Sequence, residues 1–257
     1  MSTEYDFSGR AVIVTGAGSG IGRETSIAFG DAGANVVVAD VDVEGGEAVV
    51  EEIREETAGD ATFVETDVTD DDDVAAMVET ATDEYGGLDV AFNNAGIAGT
   101  FDATDEISED DWQRIIDVNL TGVWRCMRAE IPAMLDGDGG AIVNTASILG
   151  QVGEGRTPAY TASKHGVVGL TKAAAIERAT DDVRVNAVCP GYIETQMLDD
   201  AGVTTDEEMR THTEELHPMK RLGTAEEIAD AVLWLASDGA SFTTGEALVV
   251  DGGYVSR

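Results

Sequence analysis

The sequence predicts an α/β fold in which one doubly wound, seven-stranded parallel sheet carries helices on both faces. Short runs of β-branched residues alternate with longer stretches of helical apolar spacing, which is typical of repeated strand and helix units. Hydrophobic residues make up 43% of the 257 residues, enough to form a core. Neither a Pro/Ser-rich linker nor an internal repeat interrupts the alternation, so residues 1–257 are expected to form a single domain.

The individual elements follow from local composition. Strands are expected where β-branched residues cluster, at Ala11–Thr15, Asn35–Asp40, Ala61–Glu65, Leu88–Phe92, Ala141–Thr145, Val183–Val188 and Ala247–Val250. Helices are expected where apolar residues recur behind a start signal, as in Asp70–Tyr85, Ser108–Leu135, Pro158–Ala179 and Thr224–Ala236. Residues 192–223 follow neither pattern and combine acidic helix formers with isolated apolar side chains. We expect this segment to be a substrate lid that orders on binding.

The charge balance excludes some partners. The chain has 51 Asp and Glu against 15 Lys and Arg, a formal net charge of -36, which would repel nucleic acids and anionic membranes. The acids are spread through every segment, as expected for a solvated acidic surface. This composition resembles that of proteins from salt-accumulating halophiles, where molar salt screens the self-repulsion. An acidic protein of ordinary salt requirement is the alternative.

The N-terminus and the cysteines bear on cellular location. Met1–Arg10 carries acids where a secretory signal would carry Lys or Arg before an apolar run, and no apolar stretch reaches the roughly 18 residues of a membrane span. A soluble, cytoplasmic protein is therefore expected. Cys126 and Cys189 fit no disulfide or zinc spacing and are interpreted as core residues. His212 and His217 lie among many acids, but no metal site is expected there.

A glycine-rich turn follows the first expected strand and precedes a helical pattern that starts near Arg23. Glycines at Gly16, Gly20 and Gly22 have the spacing G-x-x-x-G-x-G, whereas the strict G-x-G-x-x-G spacing is absent. Such a turn lets the backbone approach a pyrophosphate at a helix N-terminus, although a plain tight loop has the same composition. Because Asp40 ends the second strand, at the distance expected for a ribose partner, the context favours a dinucleotide site.

Asp40 also bears on the choice of cofactor. A carboxylate accepts hydrogen bonds from both ribose hydroxyls of NAD and repels the 2′-phosphate of NADP. No Arg or Lys follows Asp40 directly, and Ser19 occupies the glycine turn where a basic residue would favour NADP. The sequence therefore predicts NAD as the cofactor, with NADP disfavoured.

Tyr160 and Lys164 stand four residues apart in an expected helix, so their side chains share one face. An ammonium near a phenol favours the phenolate and lowers the phenol pKa, which would allow proton exchange near neutral pH. Such a pair is often only a helix surface pair. Here, however, the chain contains only three lysines, Lys164, Lys172 and Lys220, which favours a specific role.

Taken in order, these motifs resemble the short-chain dehydrogenase/reductase family, and the resemblance covers essentially the whole chain. The motifs that carry it are the glycine turn at Thr15–Gly22, Asn-Asn-Ala-Gly at Asn93–Gly96, Asn119, Ser147 and the Tyr160/Lys164 pair. The resemblance implies a Rossmann fold and cofactor contacts from Gly16, Ser19, Gly20, Ile21, Gly22, Asp40, Asp67, Val68, Asn94, Ala95, Gly96, Tyr160, Lys164, Pro190, Gly191, Ile193 and Thr195.

The resemblance also implies roles for four catalytic residues. Tyr160 would be the acid in ketone reduction and the base in alcohol oxidation, with Ser147 bonded to the reacting oxygen. Lys164 would hold the nicotinamide ribose and lower the Tyr160 pKa, and Asn119 would anchor a water that links Lys164 to solvent. Substrate contacts are expected from Ser147, Leu149, Val152, Tyr192 and Met197, with Gln151 and Glu154 as polar exceptions in an apolar pocket.

The expected function is NAD-dependent interconversion of a secondary alcohol and its ketone. Two alternatives resemble the same family, a 3-oxoacyl thioester reductase and a glucose 1-dehydrogenase. The first usually takes NADPH, and its acidic carrier protein would meet another acidic surface. An NAD-sensing scaffold without chemistry is a more distant alternative, because it would be expected to lack one of the four catalytic residues. The resemblance further implies a homotetramer. The expected helices Ser108–Leu135 and Pro158–Ala179 are consistent with it, because they carry more apolar residues than a single stripe facing the sheet needs.

Overall fold

The computed structural model describes residues 5–256 and confirms the fold class. Seven parallel strands in these residues form one sheet with the order β3-β2-β1-β4-β5-β6-β7. The strands are β1 Ala11–Thr15, β2 Asn35–Asp40, β3 Asp60–Glu65, β4 Val90–Asn93, β5 Gly140–Thr145, β6 Val183–Pro190 and β7 Ala247–Val250. Part of Met1–Arg10, on which the absence of a secretory signal was inferred, lies outside the described residues.

Four strands differ from the expected bounds. Strands β3 and β5 each begin one residue earlier than expected, at Asp60 and Gly140, and β4 ends one residue later, at Asn93. Strand β4 begins at Val90 instead of Leu88, because its ladder with β1 starts where Val90 pairs with Val12. Leu88 is buried but lies before the ladder. Strand β6 continues to Pro190, because its last residues still pair with β7 up to Val250.

The helices are α1 Gly20–Asp31, α2 Val43–Glu56, α3 Asp71–Tyr85, α4 Glu109–Ile116, α5 Val123–Leu135, α6 Pro158–Arg178, α7 Gln196–Asp200, α8 Glu207–Leu216 and α9 Ala225–Ala236. Local chemistry explains several starts: Asp70 accepts hydrogen bonds from two amides of the first turn of α3, Pro158 opens α6, and Thr224 forms a capping box with Glu227 on α9. Helix α1 starts at Gly20, before the expected Arg23.

The expected helix Ser108–Leu135 is not uniform. Between α4 and α5 the chain forms a π-helical segment, Asp117–Gly122. A π-helical turn takes one more residue than an α-helical turn and is often found at functional sites. Asn119, an expected catalytic residue, lies inside this segment.

The core has two halves, one on each face of the sheet. In β1, Val12 and Val14 face one half and Ile13 faces the other, as strand alternation requires. Helices α1, α2 and α9 cover the first half, and α3, α5 and α6 cover the second. Both faces are thus shielded from water, which explains the continuous valine runs of the central strands.

Residues 192–223 contain two short helices, α7 and α8, instead of an unstructured loop. Val203 and Leu222 are buried, while Met197 and Met209 are exposed. No helix within residues 5–256 has the length and apolar character needed to cross a bilayer.

Candidate active site

A cleft of about 700 Å³ opens at the carboxyl edge of the sheet. It lies where β1 and β4 are neighbours and the chain connections leave toward opposite sides, the usual ligand position in doubly wound sheets. Its walls run from the glycine turn after β1 to the segment 192–223. The cleft therefore brings most of the expected cofactor, catalytic and substrate residues into one space.

The glycine turn can only be built from glycine at its critical positions. Gly16 and Gly20 have φ of +63° and +53°, which residues with a Cβ rarely adopt. A Cβ on Gly22 would fall 2.0 Å from the carbonyl oxygen of Gly16. Gly22 does not itself line the cleft and packs closely beneath the turn, so its expected contact with the cofactor stays a prediction.

Asp40 is held rigidly at the nucleotide end of the cleft. One carboxylate oxygen accepts a hydrogen bond from the Gly18 amide at 2.7 Å, and the other accepts one from the Asp42 amide at 2.9 Å. The carboxylate thus stands against the glycine turn with its remaining lone pairs available, as recognition of ribose hydroxyls requires.

The turn is tied to β4 by Asn94. Its side-chain amide donates to the carbonyl oxygens of Thr15 and Gly16, both at 3.2 Å, and its backbone amide donates to the Thr15 hydroxyl at 3.0 Å. Apart from Gly22, every expected cofactor residue lines the cleft: Gly16, Ser19, Gly20, Ile21, Asp40, Asp67, Val68, Asn94, Ala95, Gly96, Tyr160, Lys164, Pro190, Gly191, Ile193 and Thr195.

Helix α6 presents Tyr160 and Lys164 to the floor of the cleft. The ammonium of Lys164 donates to the carbonyl oxygen of Thr145 at 2.8 Å and lies 5.5 Å from the centre of the Tyr160 ring. Burial lowers the Lys164 pKa to about 8. A lysine with that pKa is still mainly charged at neutral pH.

The pKa of Tyr160 differs from the expectation. Burial raises it, Glu154 raises it further through its negative charge, and a hydrogen bond with Ser147 acts in the opposite direction. The expected lowering by Lys164 is therefore not seen in the chain alone, where desolvation of the phenolate has the largest effect and raises the pKa of Tyr160.

Ser147 follows β5 and caps a short 3₁₀ turn, Ile148–Gly150. Its hydroxyl oxygen accepts a hydrogen bond from the Leu149 amide at 3.1 Å, which leaves the hydroxyl proton free to be donated into the cleft. Ser147 and Tyr160 both line the cleft, and Ser147 is close enough to influence the pKa of Tyr160. A reacting oxygen bound between them would therefore have both hydroxyl groups nearby.

Asn119 lies behind the cleft wall and does not line it. Its carbonyl oxygen accepts from the Ile97 amide and its amide donates to the Ile97 carbonyl, both at 2.8 Å. The π-helical segment thus fixes the chain directly after Gly96. The expected water anchored by Asn119 stays a prediction.

The substrate end is only partly as expected. Ser147, Leu149, Tyr192 and Met197 line the cleft, together with Glu154, but Val152 and Gln151 do not. They lie after the 3₁₀ turn, which redirects the chain, and the Gln151 amide contacts the Cys189 sulfur at 3.7 Å instead. Leu198, which the sequence also suggested for an apolar pocket, lines the cleft as well. Four further apolar lining residues were not singled out from the sequence, Phe101, Ala201, Val203 and Met209, because only isolated apolar side chains mark their positions.

The histidines of the lid segment have structural surroundings. The Nδ1 atom of His217 lies 2.8 Å from the Thr213 carbonyl oxygen, and the side chain is buried, whereas His212 is exposed. Within residues 5–256, no three His, Cys, Asp or Glu side chains are grouped as metal ligands. Cys126 and Cys189 are both buried free thiols.

The residues present fit a nicotinamide dinucleotide. The glycine turn lines the cleft at the N-terminus of α1, where a pyrophosphate would meet backbone amides and the positive end of the helix dipole. Asp40 offers a fixed carboxylate to a ribose. The cleft continues from this end to Tyr160 and Ser147. A long ligand bound there would place its far end beside the proton-donating groups.

Comparison with known proteins identifies the family to which the chain belongs. A family model described as enoyl-(acyl carrier protein) reductase matches residues 16–255. A cyclohexanol dehydrogenase from Acinetobacter sp. (strain SE19) is 45% identical over 251 residues, covering 98% of this chain and 97% of the relative. A 3-oxoacyl-(acyl-carrier-protein) reductase from Thermotoga maritima is 40% identical over 248 residues, covering 96% and 98%. The structure of a short-chain type dehydrogenase/reductase from Mycobacterium marinum matches with a TM-score of 0.93 and 38% identity, covering 99% and 98%.

The chain belongs to the short-chain dehydrogenase/reductase family. Fold, cleft and relatives together define an oxidoreductase that acts on alcohols or ketones. Its cofactor class is NAD or NADP, as in the family generally.

Proposed function

We propose that this protein uses NAD to interconvert a small secondary alcohol and its ketone. The observation that carries the proposal is that Ser147, Tyr160 and Lys164 line the same cleft as Asp40 and the glycine turn. An NAD-sensing scaffold without chemistry would not need three such groups beside the nucleotide site. All four expected catalytic residues, including Asn119, are present in the chain.

The proposed roles follow from the geometry of the side chains. When bound, the nicotinamide supplies the hydride for reduction or accepts it in oxidation. Tyr160 donates its phenolic proton to the carbonyl oxygen in reduction and takes a proton in oxidation. Ser147 donates a hydrogen bond to that oxygen and so positions it against the phenol. Lys164 places an ammonium near the ring, which favours the phenolate against the effect of burial.

NAD is proposed over NADP because of Asp40. Its carboxylate is fixed against the Gly18 amide, and the other charged side chain of the described residues at this end of the cleft is Asp67. A 2′-phosphate would meet two negative charges there. The cost of that repulsion supports a preference for the unphosphorylated ribose.

For the substrate we propose a ring alcohol whose carbon skeleton packs against the apolar walls of the cleft. Leu149, Met197 and Leu198 supply apolar walls, and one relative is named for cyclohexanol. A 3-oxoacyl thioester reductase is the second candidate, since another relative carries that name. The net charge of -36 disfavours docking of an acidic carrier protein. A glucose 1-dehydrogenase is the third candidate, tested with the same assay.

The test is NADH formation in about 2 to 3 M KCl, where surface repulsion is screened. The panel contains secondary alcohols, sugars and 3-hydroxyacyl thioesters, each with NAD and NADP. Tyr160→Phe should abolish oxidation while NAD binding remains. The matched control is Tyr85→Phe, because the Tyr85 hydroxyl contacts Thr62 away from the cleft. Full activity of Tyr160→Phe would contradict the proposal.

We further propose a cytoplasmic homotetramer adapted to high salt. Apolar side chains on the surface of the long helices support an assembly: Trp112 and Trp124 are partly exposed, and Ile176 is 81% exposed. Light scattering in molar KCl should give the mass of four chains, and a monomer mass would contradict the assembly.

A further inference from the structure

The substrate end of the cleft holds one charged side chain. Among the charged residues of 5–256 that line the cleft, Asp40 and Asp67 lie at the nucleotide end. Lys164 is 3% exposed and lies beneath Tyr160. Glu154 is therefore the charge that a substrate beside the catalytic groups would meet.

Glu154 and Tyr192 form a hydrogen-bonded pair on this wall. The Tyr192 hydroxyl donates to Glu154 Oε1 at 2.8 Å. The Tyr192 ring packs edge-on against His217, with ring centres 5.7 Å apart, and lies 5.8 Å from the Tyr254 ring, whose hydroxyl also interacts with that of Tyr192. Tyr192 is thus held in place from behind and anchors Oε1 of the solvent-exposed Glu154 side chain, whose second carboxylate oxygen, Oε2, can accept from a ligand.

The other polar side chains at this end already have partners. The Thr157 hydroxyl donates to the Glu154 carbonyl oxygen at 3.1 Å, and the Thr213 hydroxyl donates to the Met209 carbonyl oxygen at 2.9 Å. Around them the walls are apolar, formed by Phe101, Leu149, Met197, Leu198, Ala201 and Val203. A hydrogen-bond donor on a substrate would therefore find its best acceptor in the carboxylate of Glu154.

The charge of Glu154 reaches the reacting centre. It raises the pKa of Tyr192 and that of Tyr160. The nearest cation along the chain, Arg156, does not line the cleft, and its guanidinium donates two hydrogen bonds to the Phe101 carbonyl oxygen, at 3.2 and 2.9 Å. A substrate carboxylate at this wall would meet repulsion without a compensating partner.

We propose that Glu154 and Tyr192 form a subsite for a second hydroxyl group of the substrate, so that the enzyme favours neutral ring diols over simple ring alcohols and disfavours anionic ones. The inference rests on the proposed alcohol dehydrogenase function. The second hydroxyl would donate to Glu154 Oε2 while the first lies between Tyr160 and Ser147. Because the neighbouring walls are apolar, this hydrogen bond would also set which end of the ring reaches Tyr160.

The test compares kcat/KM for cyclohexanol, cyclohexane-1,4-diol and cis-4-hydroxycyclohexanecarboxylate in one KCl concentration, for the natural protein, Glu154→Gln and Tyr192→Phe. The natural protein should favour the diol over cyclohexanol by about tenfold, the equivalent of one hydrogen bond. In Glu154→Gln that ratio should fall, and the ratio of carboxylate to cyclohexanol should rise about tenfold. Tyr192→Phe should reduce the diol preference without favouring the carboxylate, since the Glu154 charge remains.

The control is Glu177→Gln, an exposed glutamate of α6, which should leave every ratio unchanged. Because ratios are compared within one protein, a general loss of activity cannot imitate the result. Oxidation of all three alcohols with equal ratios in the natural protein and Glu154→Gln would overturn the subsite alone. Failure to oxidise any alcohol of the wider panel despite NAD binding would overturn the proposed function and the subsite together.

Discussion

The carboxyl group of Glu130 accepts a hydrogen bond from the Asn93 amide at 3.0 Å in the interior of the protein. Asn93 also donates to the Asn144 carbonyl oxygen at 3.0 Å, and Asn144 donates to the Thr171 hydroxyl at 3.0 Å. This chain of amides links α5 through β4 and β5 to α6, the helix of Tyr160. Glu130 is the titratable end of the chain.

Glu130 should make stability depend on pH. Burial raises its pKa from 4.5 to about 8, against the opposing effect of the Asn93 hydrogen bond. Between these two values the folded protein keeps a proton that the unfolded chain releases, so stability falls as pH rises. The stabilising contribution of protonated Glu130 is fully present below pH 4.5 and disappears as the pH rises from there through pH 8. The resulting loss in the free energy of unfolding is on the order of 5 kcal/mol, because each unit of difference between the two pKa values contributes about 1.4 kcal/mol.

The free energy of unfolding is measured with denaturant for the natural protein and for Glu130→Gln, at about pH 5 and about pH 8.5 and at one KCl concentration. Most of the interval between the two pKa values of Glu130 lies between these two pH values. The variant should gain stability relative to the natural protein at the higher pH. Lys164 also titrates near pH 8, but it is present in both proteins and cancels in the difference. Parallel stability curves for the two proteins would show that Glu130 is not protonated in the fold.

Arg184 should be a major stabilising residue of the C-terminal half. Its guanidinium, on β6, donates to the carbonyl oxygens of Leu235, Ala236 and Ser237 at 2.7, 3.0 and 3.2 Å, at the end of α9. The carbonyl groups of Leu235 and Ala236 belong to the last turn of α9, where the helix offers them no amide partner, so a cation there satisfies them and complements the helix dipole. The Ser237 carbonyl oxygen also accepts from the Ala240 amide. Arg184→Met should cost about 2 to 4 kcal/mol in denaturant unfolding.

A surface arginine provides the comparison. Arg54 pairs with Asp60, and both side chains are more than half exposed, at 52% and 54%. Arg54→Met should therefore cost less than about 1 kcal/mol. Equal losses for the two variants would show that the helix-end contacts of Arg184 contribute little.

Asp40 should control the ratio of activity with NAD to activity with NADP. Asp40→Ala removes both the ribose acceptor and the negative charge, and we expect the ratio of the two kcat/KM values to fall about 100-fold. Asp40→Asn keeps an oxygen that can accept from Gly18 while removing the charge, so it separates the two effects. A ratio that stays unchanged in Asp40→Ala would contradict the NAD assignment.

Salt should stabilise the fold. The described acids lie mainly on the surface, and the formal charge of -36 destabilises a compact chain through self-repulsion that salt screens within about 10 Å at 0.1 M and less at higher concentration. Thermal unfolding from low to molar KCl should give a rising Tm. A Tm that is flat over this range would argue for an acidic protein of ordinary salt requirement.

Residues 192–223 should become harder to cleave when ligand binds. Met197, Leu198 and Met209 of this segment line the cleft, so a bound ligand would contact them directly. Limited proteolysis should cut between Asp199 and His217 more slowly with NAD and substrate present. Equal rates with and without ligands would contradict the lid.

Much of the fold was predictable because buried parallel strands leave a strong signal. Strands β1, β2 and β7 have the expected bounds, since each is a short apolar run between turn residues. The glycine turn and Asp40 were also identifiable, because few other residues can occupy those positions. These features depend on local chemistry, which the sequence contains directly.

Features that depend on packing between distant elements were not predictable. The π-helical segment around Asn119 leaves no mark in the apolar spacing, and the turn after Ser147 moves Val152 away from the cleft. The raised pKa of Tyr160 comes from the depth at which α6 packs. Glu130 is an acid on an apolar helix face, but its partner Asn93 lies 37 residues earlier.

The acceptor that fixes Lys164 is a main-chain atom, the carbonyl oxygen of Thr145. Every amino acid provides that oxygen, so replacement of the Thr145 side chain leaves the lysine anchored as long as β5 keeps its register. The Thr145 hydroxyl instead contacts Asn94 at 3.3 Å, on the cofactor side. A substitution at position 145 can therefore remove the side-chain contact with Asn94 while the main-chain contact with the ammonium of Lys164 remains.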